Sequence, residues 1–83
     1  MATYELKRKH TADSKESVLE FCQTLPEAKT KMAVYLSGLN GCMVQLSDRN
    51  RRADVWQMCV GKKSYLMSFY IEHAAEVPAP VTA

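Results

Sequence analysis

Ala53-Asp54-Val55-Trp56-Gln57-Met58-Cys59-Val60, then Gly61-Lys62, then Lys63-Ser64-Tyr65-Leu66-Met67-Ser68-Phe69-Tyr70-Ile71-Glu72: two apolar-rich runs flank a Gly-X pair. Such a pair marks a two-residue hairpin turn, with glycine at the position that needs a positive φ. A turn at Gly61-Lys62 sets Val60 opposite Lys63, Met58 opposite Tyr65, Trp56 opposite Met67 and Asp54 opposite Phe69. Side chains alternate across a strand, so one face collects Trp56, Met58, Val60, Tyr65, Met67, Phe69 and Ile71. That face holds the chain's single tryptophan and is the expected core wall.

The opposite face would carry Val55, Gln57, Cys59, Ser64, Leu66, Ser68 and Tyr70, with no charge among them. A solvated face normally has charge. Either a second layer covers this one, or it docks a protein partner or a second copy. Val55, Gln57, Cys59, Leu66, Ser68 and Tyr70 are the partner-binding candidates.

Upstream, Thr3 to His10 alternates, with Tyr4 and Leu6 on one side and charges on the other, as an edge strand does. Asp13 followed by Glu16 resembles the start of a helix, and Val18, Phe21, Cys22 and Leu25 follow at helical spacing. Residues 26–40 read two ways. As a helix, Thr24 with Glu27 caps a stripe of Ala28, Met32, Tyr35, Leu36 and Leu39. As a strand, Met32, Val34 and Leu36 alternate with Ala33, Tyr35 and Ser37, and Gly38 to Gly41 turns into a further strand at Cys42–Ser47. The strand is the preferred reading for Lys31–Ser37. The expected fold is α+β: an N-terminal strand, one helix or two, then an antiparallel meander of three or four strands with the helix packed on one sheet face. Residues 1–73 form one small domain, and the Pro78/Pro80 stretch within 74–83 reads as a flexible tail.

Composition narrows function more than motif does. Apolar residues at 47% and charged residues at 24% are ordinary globular values, which argues against wholesale disorder. A net charge of +2 is too small for a polybasic membrane anchor or a nucleic-acid-binding tail. There is no apolar run long enough to span a membrane, and Met1–His10 has no apolar leader, so the expected compartment is the cytoplasm. Three cysteines, Cys22, Cys42 and Cys59, at unrelated spacings read as reduced thiols, with no metal and no cofactor expected. No catalytic or phosphate-loop motif is present, so no enzyme activity and no small-molecule substrate are expected.

Asp48-Arg49-Asn50-Arg51-Arg52 is the densest basic stretch. Guanidinium groups bind phosphate and carboxylate bidentately, so Arg49, Arg51 and Arg52 with Lys62 and Lys63 form the alternative site, for nucleic acid. Solvated charges that aid solubility explain the same residues. The order strand–helix–meander is similar to that of cystatin-type protease inhibitors. Their Gln-Val-Val-Ala-Gly and Pro-Trp hairpins are absent, and Gly61-Lys62-Lys63 resembles neither, so the resemblance implies an order of elements and not an inhibitory activity. The expected function is that of a small non-catalytic adaptor or inhibitor, of the kind phages and mobile elements encode, docking through a sheet face or edge.

Overall fold

The computed structural model describes residues 3–74. It is an α+β fold with one five-stranded antiparallel sheet and one helix. The elements are β1 (Thr3–His10), β2 (Glu16–Cys22), α1 (Leu25–Ser37), β3 (Cys42–Ser47), β4 (Arg52–Cys59) and β5 (Lys62–Ala74). The sheet order is β2-β1-β5-β4-β3, so the last three strands form the expected meander and the long β5 lies at the centre. Of the tail expected over residues 74–83, Ala74 is the last residue of β5, paired with Thr3, and the rest lies outside the described residues.

Two segments exchange the structures expected of them. Glu16–Cys22 is a strand, not a helix. The Asp13 side chain accepts the Lys15 amide at 2.9 Å, and Ser14 has a φ of 56°. Asp13 therefore closes a turn that folds β2 back on β1, a role Asp fills as readily as helix capping. Val18 and Phe21, half of the supposed helical stripe, end up exposed. Residues 25–37 are the helix, not a strand. Thr24 is its N-cap, accepting the Glu27 amide, and Pro26 sits in the first turn where no backbone donor is needed. Ala28 and Met32 are buried, with Leu25, Leu36 and Leu39 beside them at three- to four-residue spacing. Since two strands precede the helix, the cystatin-like order of elements does not hold.

α1 packs on β1, β2 and β5. The core between helix and sheet holds Leu6, Cys22, Ala28, Met32, Ala53, Val55, Met67, Phe69 and Ile71. Tyr35 reaches over Phe69, ring centroids 6.1 Å apart.

The β4–β5 hairpin corrects the expected register. Cys59 pairs with Lys62, so the turn is Val60-Gly61, one residue earlier than Gly61-Lys62. Gly61 supplies the positive φ, 73°. Trp56 then faces Tyr65 rather than Met67. Between Val55–Met67 and Trp56–Tyr65 the register shifts, because Leu66 is an extra residue on β5. A bulge reverses which face each following residue occupies. Both expected faces are therefore split at Leu66. Met67, Phe69 and Ile71 go to the core as expected, joined by Val55 from the supposed outer face. Trp56, Met58 and Tyr65 go to the face away from the helix, joined by Ser68 and Tyr70.

Candidate functional site: an open sheet face and an unprotected edge

One helix covers one side of the sheet, and among the described residues nothing covers the other. The uncovered face has a polar centre built by cross-strand pairing. Arg52 and Asp54 lie two residues apart on β4. The Arg52 guanidinium donates to the Asp54 carboxylate from Nε at 3.2 Å and lies 3.1 Å from it through Nη2. The Tyr65 hydroxyl donates to the same carboxylate oxygen at 2.6 Å and accepts from Arg52 at 3.3 Å. Burial pushes the Asp54 carboxyl up, but the Tyr65 hydroxyl and Arg52 together hold it below the usual range. Tyr65 also packs on Trp56, centroids 4.9 Å apart, and the Lys63 ammonium lies 4.8 Å over the Trp56 ring.

A second polar cluster joins three strands. Lys7 on β1 pairs with Glu16 of β2 at 3.1 Å and with Glu72 of β5 at 3.0 Å. On the same face is a cavity of about 260 Å³ lined by Lys9, His10, Thr11, Ser14, Arg52, Tyr65 and Ser68. Its shape follows from the bulge. Ser68 is a small side chain on the central strand, opposite Lys9 on one side and Asp54 on the other. It forms a floor between long neighbours. Thr11 forms part of the wall, its amide bonded to the Leu66 carbonyl at 3.1 Å and its hydroxyl donating to the Tyr65 and Leu66 carbonyls.

The two edges of the sheet differ. β2 carries Glu16 and Glu20, and the register with β1 shifts at Leu19, a second bulge. Charges and bulges are the usual means of preventing an edge from pairing with another strand. β3, at the other edge, reads Cys-Met-Val-Gln-Leu-Ser, with no charge and no proline, and pairs with β4 in unbroken register. Beside it, a groove of about 220 Å³ runs between sheet and helix, lined by Lys29, Met32, Ala33, Leu36, Leu46 and Asn50. Leu46 is half exposed there, at 50%.

The residues expected to form a partner surface are dispersed. Val55 is wholly buried, and Leu66 is the half-buried bulge residue packed against the core. Gln57 and Cys59 are exposed near the hairpin tip. Ser68 and Tyr70 lie on the open face, Ser68 as the cavity floor. The basic residues are dispersed too. Asp48-Arg49-Asn50-Arg51 is a tight turn. The Arg51 amide bonds the Asp48 carbonyl at 3.0 Å, and Arg49 and Asn50 both have positive φ. Arg52 begins β4 and Lys62 pairs with Cys59 at its far end. Seven residues of strand put about 23 Å between them. Arg49, Arg51 and Arg52 therefore do not share a patch with Lys62 and Lys63.

Sequence reasoning missed Thr11 and the Arg52–Asp54–Tyr65 cluster. The last depends on a bulge that leaves no mark in hydrophobic alternation. The β3 edge could have been found from the absence of charge in Cys42–Ser47. Among the described residues no three His, Cys, Asp or Glu side chains gather as a metal site, and no helix is long and apolar enough to cross a membrane. Compared with family models, with curated proteins and with solved structures, the chain matches none.

Proposed function

We propose that this protein is a non-catalytic binding module that takes up an extended segment of a partner protein as an added strand on β3. The observation that carries this reading is the uncharged, unbulged outer strand lying next to an apolar groove. In strand addition the backbone amides and carbonyls of the edge supply affinity, and pockets for alternate side chains supply specificity. β3 has the backbone edge, and the groove of Met32, Leu36 and Leu46 receives every second side chain of the guest. Lys29 at the groove favours a guest with an acidic residue beside its apolar ones. The separation of the basic turn from the basic hairpin tip weighs against nucleic acid as the ligand, because phosphate contacts need cations gathered along one track.

The test is selection of peptides from a random library, followed by amide hydrogen exchange on the complex. Selected peptides should alternate apolar residues and slow exchange at Cys42–Ser47. Leu46→Lys should weaken their binding by about tenfold or more, the cost of placing a charge where the guest must desolvate it. Phe21→Ser, on the opposite edge of the sheet, should leave binding unchanged. Selected peptides that bind the Leu46→Lys variant as tightly, or that leave the β3 amides unprotected, would overturn the proposal.

A further inference from the structure

The cavity on the open face lies across the sheet from the β3 groove and does not depend on strand addition. We infer that it binds the phosphate group of a small phosphate monoester. Two cations flank it from opposite strands. Lys9 lies on β1 and Arg52 on β4, with the central strand β5 between them. Asp54, not Arg52, lies directly across from Lys9, so two strand spacings and a two-residue offset set the backbones of Lys9 and Arg52 about 12 Å apart, a span that two long side chains close over one bound anion.

Arg52 is held in place by Asp54 and Tyr65, which engage its Nε and Nη2 and leave Nη1 without a partner among the described residues. A fixed guanidinium loses little freedom on binding phosphate. Lys9 is exposed and makes no ion pair among the described residues. Glu16 faces it across the strands, but that carboxylate is paired with Lys7. Ser68 is 4% exposed, the one buried polar residue described, and it lines the cavity on the strand between the two cations. Ser14 also lines the cavity.

Around the cavity Lys9, Arg52 and Lys7 balance Asp54, Glu16 and Glu72, so the selection rests on the two cations that line it, Lys9 and Arg52, which favour an anion with several acceptor oxygens over a neutral guest. Liquid water occupies about 30 Å³ per molecule, so a cavity of about 260 Å³ holds a phosphate with part of the molecule that carries it.

The test is a titration of the full chain, followed through its backbone amide resonances, with inorganic phosphate as the first probe and sodium chloride at matched ionic strength as the control. Phosphate should give saturable shifts centred on Lys9–Ser14, Arg52 and Tyr65–Ser68, and chloride should not. Lys9→Gln, at an exposed position, should keep the fold and weaken binding by about tenfold or more. Arg49→Gln, outside the cavity, should bind as the parent does. Phosphoserine and adenosine monophosphate as further probes separate an amino-acid carrier from a nucleotide carrier, and saturable binding of either supports the assignment. Shifts that rise without saturating, a Lys9→Gln variant that titrates like the parent, shifts centred on Arg49–Arg51, or failure of both monoesters to bind would each overturn it.

Discussion

Phe69 and Trp56 show how much depends on which side of the sheet a ring occupies. Phe69 is 2% exposed and faces the helix, where it meets Tyr35. Trp56 is half-buried on the open face, between Tyr65 and Lys63, and its ring nitrogen is buried with no hydrogen-bond partner among the described residues. Removing a buried phenylalanine leaves a cavity as well as losing transfer energy. Phe69→Ala should therefore cost about 3–5 kcal/mol, a large share of the stability of so small a domain. Trp56→Ala should cost clearly less, because the ring is only partly withdrawn from water and its loss removes an unpaired donor. Urea denaturation of both variants checks the order. Equal losses would mean that the open face is covered in the folded protein.

Among the elements, the turn between β3 and β4 carries a conformational cost that its sequence does little to relieve. Asp48, Arg49 and Asn50 have φ values of 51°, 55° and 65°, and Arg49 lacks the short polar side chain that makes this region tolerable to Asp and Asn. Two-residue turns with both central residues at positive φ favour Asn-Gly. Replacing Arg49-Asn50 by Asn-Gly should stabilise the protein by about 1 kcal/mol, read from the denaturation midpoint. A loss of stability would show that the Arg49 side chain makes a compensating contact. α1 gives the converse case, an element well matched to its sequence. Thr24→Ala removes the acceptor for the Glu27 amide and should cost about 1 kcal/mol in the same experiment.

At the scale of the whole molecule, the ties between β2, β1 and β5 respond to pH. Hydrogen bonds to Glu72 and Glu16 hold Lys7 well above its ordinary range. Burial, reinforced by Glu16, pushes the Tyr70 hydroxyl up to about 12. Tyr70 and Lys7 hold Glu16 below the usual carboxylate range. A raised group contributes fully below its unfolded pKa and loses its contribution as pH rises toward the folded value. A lowered carboxylate contributes fully above its unfolded pKa and loses its contribution as pH falls through the folded one. Thermal stability should therefore decline as pH rises from 10.0 toward about 12, and again as it falls below 4.5. Glu16→Gln should flatten the acid limb and Tyr70→Phe the alkaline one. A Glu16→Gln variant with the parent's full acid dependence would place the acid-sensitive tie elsewhere.

The sequence by itself determined the class of fold, the β4–β5 hairpin and the burial of Met67, Phe69 and Ile71. Each rests on signals contained in a few adjacent residues: alternation, a glycine at a turn, and the lack of any run suited to another architecture. It also contained the cap, the proline and the apolar stripe of α1. A short apolar run satisfies helix and strand periods equally well, and what separates them for 25–37 is that this segment lies over Leu6, Cys22 and Phe69. The two bulges were decided only in the tertiary structure. Placing one extra residue at Leu66 lets Val55 join the core and leaves Tyr65 free to bond Asp54. That choice depends on the packing of β1 and the helix against β5, contacts between residues as far apart as Thr11 and Leu66. No local pattern records such a choice. It divided both expected faces of the hairpin and created the cavity that neither face implied.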